Sequence, residues 1–189
     1  MIEARRYAGY EQGVCDMTVL DIVTYPADIL KDGALPVANI DGKLQQLIDD
    51  MAQTMYARQG VGLAAVQVDS GLRLVIYDVS DQREKQQFRV VINPEIVAAD
   101  GECISEQEGC LSVPELRTDV KRAAMVRVAG VDREGRPLVI DAEGLEAIVL
   151  QHEIDHLNGT LILDRASRLK RELYKRKVQK RIKQAWQET

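Results

Sequence analysis

Apolar residues recur at helical spacing in the stretch that follows Asp41. The apolar positions are Leu44, Leu47, Ile48, Met51 and Met55. Steps of three and four residues keep these side chains on one face of a helix. Asp41 is typical of a helix N-cap, and Gly60 is a residue type at which helices end. The pattern therefore predicts an amphipathic helix between these two residues, with its apolar face in the core.

Runs rich in β-branched and apolar residues occur before and after this helix. They cover residues 18–24, 72–79, 88–92, 124–131 and 137–140. Asn93-Pro94 closes the third run, and the polar residues 132–135 between the last two predict a hairpin. The strands follow one another in hairpin-like succession rather than alternating with helices. This order favours an α+β fold with mostly antiparallel sheets.

Two further helices are predicted towards the C-terminus. One runs from about Leu145 to Leu157 and stops at Asn158-Gly159. The other runs from about Ser167 towards Trp186. Residues 1–17 show no clear period. We therefore expect an N-terminal extension (1–17), a single domain whose sheets pack around the 145–157 helix (18–164), and a C-terminal helix (165–189).

The composition excludes several classes of protein. Of 189 residues, 46% are hydrophobic and 29% are charged, which is ordinary for a globular protein and unlike collagen or a disordered chain. No apolar run reaches the roughly 18 residues of a membrane span, and the first residues do not resemble a secretion signal. Three cysteines, an odd number, do not indicate a disulfide framework. We expect a cytoplasmic protein without membrane contacts.

Charge is distributed unevenly along the chain. Residues 165–189 hold ten Lys and Arg against two acidic residues, although the whole chain has a net charge of −5. A basic segment attached to an acidic body favours an anionic partner for that segment. A solvated helix face rich in cations is the alternative.

The segment His152-Glu153-Ile154-Asp155-His156 carries the clearest chemistry. Residues four apart lie on one face of a helix, so the two imidazoles can bind one metal ion. Glu153, beside the first histidine, can then handle protons of a water molecule. Two unrelated histidines on a helix face are the alternative, but these are the only histidines in the chain.

A catalytic metal site usually needs a third protein ligand. Ile162 stands where one class of protease has its third histidine, so that class is excluded. Glu172 would serve a second class of metallopeptidase, although it lies in the basic segment. Cys110 offers a thiolate, which suits zinc or ferrous iron, but it can also be read as a buried free thiol. A metallopeptidase and a metal-stabilised RNA-binding module therefore stay open here.

Two other segments complete the candidate site. Residues 60–67, GVGLAAVQ, place two glycines where a backbone can approach closely, and Gln67 offers an amide donor for a carbonyl oxygen. A glycine loop before a strand is the alternative. Leu145, Ile148 and Val149 share the helix side of His152, because they precede it by whole turns. An apolar stripe beside a metal suits an apolar substrate side chain such as methionine, or simply the core.

Taken together, three segments resemble the signature motifs of peptide deformylases. These are GVGLAAVQ (60–67), EGCLS (108–112) and QHEIDH (151–156), in the family's order, within a resemblance that spans residues 19–163. The resemblance implies that Cys110, His152 and His156 hold a divalent metal ion. It implies Fe²⁺ in the cell, with Zn²⁺, Ni²⁺ or Co²⁺ able to replace it.

The resemblance also implies a reaction. The family hydrolyses the N-formyl group of nascent formylmethionyl polypeptides and releases formate by attack of a metal-activated hydroxide. Glu153 would be the general acid and base, and the Gln67 amide and Leu111 backbone N–H would stabilise the oxyanion. The implied substrate contacts are a methionine pocket of Val61, Leu63, Leu145, Ile148 and Val149, backbone bonds from Gly62 and Gly109, and Arg117 at the entrance. The resemblance further implies a bacterial protein whose basic C-terminal helix docks on ribosomal RNA. We expect a monomer.

Overall fold

The computed structural model describes residues 18–81 and 85–187, so the expected N-terminal extension lies outside the described residues. The helices are α1 (Gly42–Ala57), α2 (Gly144–Leu157), α3 (Ile162–Arg165) and α4 (Arg168–Gln187). The strands are β1 (Gly62–Ala64), β2 (Leu74–Tyr77), β3 (Arg89–Asp100), β4 (Cys103–Glu108), β5 (Thr118–Arg122), β6 (Met125–Val131) and β7 (Pro137–Glu143). Two short 3-10 helices, Asp28–Leu30 and Ala65–Val68, complete the elements described here.

The strands form two antiparallel sheets. The larger sheet has the order β1-β2-β3-β6-β7, and β4 pairs with β5 in the smaller sheet. Each ladder between these strands is antiparallel. The predicted hairpin is β6 and β7, whose register places Val131 opposite Pro137. The α+β class predicted from the order of elements is confirmed.

The larger sheet has a helix on each face. Val75 of β2 packs in one core cluster with Leu150 of α2, whereas its neighbours Leu74 and Ile76 pack in a second cluster with Ile48 of α1. Successive residues of a strand point to opposite faces, so α2 and α1 cover opposite sides of the sheet. The helix that carries both histidines is therefore central, as predicted.

The N-terminus of α1 and the C-terminus of α2 follow local signals. The Asp41 side chain accepts hydrogen bonds from the N–H groups of Lys43 and Leu44, each over 3.0 Å, and so caps α1. α2 stops at Leu157, and Gly159 adopts a φ of 71°. A Cβ at Gly159 would lie 2.2 Å from the carbonyl oxygen of Lys31, so both the backbone conformation and the close packing require glycine here.

The strand predicted over residues 18–24 is wrong. This segment belongs to neither sheet. Its backbone bonds elsewhere instead: the N–H of Leu20 donates to Thr54 Oγ1 over 2.8 Å, and the N–H of Val23 donates to the carbonyl of Gln67 over 2.8 Å. The segment thus supports the 3-10 helix that follows β1 and carries Gln67.

The strand predicted to end at Asn93-Pro94 continues to Asp100. Its register against β6 shifts between Ile92 and Glu95, so the turn signal produces a bulge rather than a strand end. Asn93 has a φ of 53°, and its side chain pairs with the backbone N–H and C=O of Val37. Val37 thus satisfies the side-chain amide of Asn93, which solvent would otherwise satisfy in an exposed turn.

Strands β4 and β5 had no counterpart among the predicted strands. Their sequences, CISEQE and TDVKR, lack an alternation of apolar and polar residues. The buried positions are partly polar, because Thr118 and Arg122 are only 3% and 4% exposed. Hydrophobic periodicity therefore could not reveal this sheet.

Helix α4 is attached to the body by its first half. Tyr174 is buried in a third core cluster that includes Val113 and Leu161. The guanidinium of Arg171 donates to the carbonyls of Leu163 and Asp164 at the end of α3. In the described part of the chain, no helix combines the length and apolar character needed to cross a membrane.

Candidate active site

The three predicted metal ligands meet at one point. α2 places His152 and His156 one turn apart on the same face. Cys110 comes from the loop directly after β4. The ligand atoms of these three residues lie within 4.8 Å of one another, and Cys110 Sγ is 3.1 Å from His156 Nε2. Residues from two separate parts of the chain thus form a single cluster.

The electrostatics of this cluster fit a divalent metal. Burial acts to raise the pKa of the Cys110 thiol, but the neighbouring His156 and His152 outweigh it and hold that pKa well below its usual range. A thiolate is the form of cysteine that ligates metals. One thiolate and two imidazoles leave a fourth position open, as in catalytic zinc or ferrous-iron sites.

A carboxylate outside the predicted site orients the first histidine. Glu108 Oε1 lies 2.8 Å from Nδ1 of His152, which leaves Nε2 of that ring for a metal. Burial acts to raise the pKa of Glu108, but His152 and Arg122 bond to its charged form and lower the pKa to about 2. Glu108 lies inside the EGCLS segment, two residues before Cys110. Its position within this motif is the sequence feature from which a role in the site could have been predicted.

Glu108 belongs to a chain of ion pairs that is buried at Glu108 and Arg122 and reaches the surface at Arg165. Arg122 of β5 reaches Glu108 and also donates to Asp155 Oδ2 over 2.6 Å. Asp155, between the two histidines on α2, accepts two further hydrogen bonds from Arg165 of α3. The pairs connect both strands of the small sheet to the helix that carries both histidines. A buried charge left without its partner is costly, so the arrangement depends on the buried pair of Glu108 and Arg122.

Glu153 lies against the glycine strand β1. Its side chain is buried, and a Cβ at Gly62 would approach Glu153 Oε1 to 2.5 Å. Burial raises the pKa of Glu153, although His152 and His156 act in the opposite direction. Among residues 18–81 and 85–187, no group forms a hydrogen bond with Glu153 Oε2. A carboxyl group whose pKa is raised in this way holds a proton more readily than one in water, as a group that accepts and returns protons must.

The amide of Gln67 is held in one orientation. Its Oε1 accepts a hydrogen bond from the N–H of Ala64 over 2.9 Å. Its Nε2 lies 3.2 Å from Ser112 Oγ and 3.8 Å from Cys110 Sγ. The donor end of the amide therefore points towards the loop that carries Cys110 and Leu111.

A cleft of about 590 Å³ opens over the cluster. Of the residues predicted for the site, it is lined by Val61, Gly62, Gln67, Gly109, Cys110, Leu111, Arg117, Leu145, Ile148, Val149, His152 and Glu153. His156 is buried next to Cys110 and is not among the lining residues. Leu63 is fully buried in the core cluster of α1, because Gly62 faces α2 and the next residue of the strand must face the other way.

The rim of the cleft contains charged residues that were not predicted as part of the site. Arg58, Glu106 and Glu115 line it together with Arg117. A Cβ at Gly109 would lie 1.0 Å from Nη1 of Arg117, so the guanidinium lies directly across this glycine. The absence of a side chain at position 109 is what lets Arg117 enter the cleft.

Comparison with known proteins decides the family. Residues 19–172 match the family model for polypeptide deformylase. The chain belongs to the polypeptide deformylase family. The resemblance carried by the three sequence motifs is thereby confirmed. As a deformylase, the protein is a metal-dependent hydrolase that removes the N-formyl group from newly made polypeptides.

Individual deformylases are similar over most of the chain. The peptide deformylase of Desulfosudis oleivorans is 96% identical over 173 residues, which are 92% of this chain and 100% of that relative. The peptide deformylase of Syntrophobacter fumaroxidans is 51% identical over 169 residues, covering 89% and 99%.

Solved structures that resemble this fold are also peptide deformylases. A crystal structure of the Legionella pneumophila deformylase superimposes with a TM-score of 0.81 at 45% identity, over 89% of this chain and 98% of the other. The deformylase of Acinetobacter baumannii, solved with bound Met-Ala-Ser, gives a TM-score of 0.74 at 38% identity, over 79% and 99%. The deformylase fold thus extends through the candidate site.

Proposed function

We propose that deformylation takes place in the cleft above Cys110, His152 and His156, with Glu153 as the general acid and base. The convergence of the three ligand atoms within 4.8 Å, beside a buried carboxyl group, is the observation that carries this assignment. Among residues 18–81 and 85–187, this is the one cluster of at least three histidine, cysteine or acidic side chains that could hold a metal ion.

Cys110, His152 and His156 would hold the metal. A divalent ion there supplies Lewis-acid chemistry that lowers the pKa of water to near neutrality. We propose Fe²⁺ as the ion used in the cell, with Zn²⁺, Ni²⁺ or Co²⁺ able to replace it. A donor set of one thiolate and two imidazoles supports this range of ions.

Glu153 would move the protons. Its carboxylate takes a proton from the attacking water and returns it to the departing amine of methionine. The burial that raises its pKa supports both steps, because a carboxylate in water would release the proton too readily. Gly62 leaves room for this side chain on the side of β1.

Gln67 and Leu111 would stabilise the oxyanion. Negative charge develops on the formyl oxygen as the tetrahedral intermediate forms, and fixed donors stabilise it most. Gln67 Nε2 and the Leu111 N–H are the proposed donors. The hydrogen bond from Ala64 to Gln67 Oε1 supports this role, because it prevents the amide from turning over.

The methionine side chain would pack against Val61, Leu145, Ile148 and Val149, all of which line the cleft. The backbones of Gly62 and Gly109 would bond to the extended peptide, and Arg117 would meet the residues beyond methionine. Leu63 is left out of the proposed pocket, because it packs with α1. The Met-Ala-Ser peptide bound to the Acinetobacter baumannii relative supports a product of this kind.

Formate release from formyl-Met-Ala-Ser by anaerobic, iron-loaded protein tests this proposal, with acetyl-Met-Ala-Ser as the control substrate. We expect release from the formyl peptide alone. Glu153→Ala should keep the metal and lose about 10²–10⁴-fold in turnover. Cys110→Ala should lose the metal, whereas a peptidase with Glu172 as ligand would keep it. Wild-type turnover by Glu153→Ala would contradict the assignment.

We also propose that α4 binds ribosomal RNA through its outer face. Arg176, Lys180 and Lys183 are exposed and follow the i, i+4, i+7 spacing of one helix face. Within the described chain, none of the three forms an ion pair, whereas Lys177 and Arg181 both pair with Glu115. Cations without protein partners are available for phosphate groups.

Combined alanine substitution of Arg176, Lys180 and Lys183 tests this interface without removing the buried Tyr174. Ribosome affinity should fall, and the slope of log affinity against log salt should flatten by about 0.7–0.9 for each phosphate group that the helix no longer neutralises. Unchanged affinity and slope would overturn the proposal.

We further propose that the enzyme acts as a monomer in the bacterial cytoplasm, where nascent formylmethionyl chains are made, and without a membrane partner.

A further inference from the structure

The inner face of α4, which carries Lys170, Lys177 and Arg181, contacts residues 115–117. Lys177 and Arg181 both bond to the Glu115 carboxylate, and Arg181 Nη2 lies 2.8 and 3.0 Å from its two oxygens. Lys170 Nζ lies 3.4 Å from the carbonyl oxygen of Arg117. Three cations of one helix thus hold a segment of only three residues.

The backbone of this segment needs such support. Glu115 has a φ of 66°, in the left-handed region that a non-glycine residue rarely adopts. Conformations of this kind persist where the surrounding structure holds them. Lys177 and Arg181 also hold the pKa of Glu115 below its usual value, because both cations bond to its charged form.

Arg117 depends on its backbone for its position in the cleft. Its guanidinium lies across Gly109 at the rim. In the part of the chain that the structure describes, no side chain forms a hydrogen bond or ion pair with this guanidinium. The place of the guanidinium is therefore set by residues 115–117 and not by a partner of its own.

We propose that Glu115 is a positioning residue for peptide binding. Through Lys177 and Arg181 it anchors the turn to α4, and the anchored turn presents Arg117 to the residues of the substrate that follow methionine. This inference rests on the proposed contact between Arg117 and the peptide. It assigns α4 a part in substrate binding that is separate from its outer, basic face.

Steady-state kinetics of Glu115→Gln test the inference. The substitution removes the charge and preserves the size of the side chain. For formyl-Met-Ala-Ser we expect KM to rise about 1.4-fold to fivefold, the range set by an exposed ion pair, with kcat unchanged. For formyl-Met amide, which has no residue beyond methionine, kcat/KM should stay at the wild-type value. Glu134→Gln is the matched control, since Glu134 is an exposed glutamate paired with Arg136.

The partners on α4 provide a second measurement. Lys177→Ala combined with Arg181→Ala should raise KM for the tripeptide as Glu115→Gln does. Adding Glu115→Gln to that pair should cause no further rise, because all three residues act through one contact. Additive effects would mean that the cations act on the peptide by another route and would overturn the inference.

Arg117→Ala separates this inference from the proposed function. If Arg117→Ala raises KM for the tripeptide and Glu115→Gln does not, the positioning role is wrong and the contact of Arg117 with the peptide stands. If Arg117→Ala leaves KM unchanged, the proposed contact itself is wrong, and the inference falls with it. An equal rise in KM for formyl-Met amide would show general distortion of the site and would also overturn the inference.

Discussion

Arg122 donates two hydrogen bonds to Glu108, over 2.6 Å from Nη2 and 3.2 Å from Nε, and both side chains are buried. The same Glu108 oxygen that receives the shorter bond lies 2.8 Å from Nδ1 of His152. The charge of Arg122 keeps the carboxylate ionised, and the ionised carboxylate fixes the ring of a proposed metal ligand. Strand β5 therefore acts on the proposed metal site without contributing a ligand.

We predict that Glu108→Gln weakens metal binding by about 10–100-fold, the usual cost of removing the partner of a ligating histidine. A glutamine accepts more weakly from His152 and leaves Arg122 with Asp155 as its remaining carboxylate partner. Competition with a chelator measures the affinity directly. Glu102→Gln, at an exposed ion pair with Lys121, is the matched control and should bind metal as the wild type does. Equal affinities of all three proteins would contradict the role of Glu108.

Gly62→Ala should damage catalysis while the protein keeps its metal. The new methyl group would lie 2.5 Å from Oε1 and 2.9 Å from Cδ of Glu153, so the carboxyl group must move. A displacement of about 1 Å at a reacting group can cost on the order of 10²-fold in rate. Formate release and metal content should be measured together.

Gly71→Ala provides the comparison for this substitution. A Cβ at Gly71 meets no atom within 4 Å, so its turnover should equal that of the wild type. If Gly62→Ala were as active as Gly71→Ala, Glu153 would not need its observed position.

Tyr174→Ala should destabilise the whole domain. Tyr174 is 8% exposed and closes the third core cluster over Val113 and Leu161. Truncation of a buried aromatic side chain costs about 3 kcal/mol in the free energy of unfolding. Urea titration of the metal-loaded protein measures this change. Leu173→Ala, at a neighbouring residue that is 56% exposed, should change stability by less than about 0.5 kcal/mol. Equal effects would mean that α4 is not part of the core.

Local patterns in the sequence were sufficient for the main helices and for part of the sheet. Asp41 caps α1 as its residue type predicts, and α2 ends before Asn158-Gly159. The hairpin of β6 and β7 followed from its short polar turn. These features depend on interactions within a few residues, so neighbouring residue types are enough to predict them.

Other elements could not be predicted in this way. Asn93 is a typical turn residue, but Val37 supplies partners that turn it into a bulge within β3. The segment 18–24 has strand-like residues but bonds to α1 and to Gln67 instead of joining a sheet. In both cases a distant backbone or side chain overrides the local preference, and nothing in the neighbouring residues indicates that partner.

The spacing of His152 and His156 was enough to place both imidazoles on one helix face, because helical periodicity is a local property of the chain. The three motifs likewise pointed to Cys110 as the third ligand and to Glu153 as the proton carrier. Three features were decided by the tertiary structure alone. Leu63 packs away from the cleft, Glu108 pairs with Arg122, and Arg117 lies across Gly109. Those contacts join residues from separate elements, and their members are mostly charged or glycine. Such residues leave no hydrophobic period, so their positions follow from packing between elements.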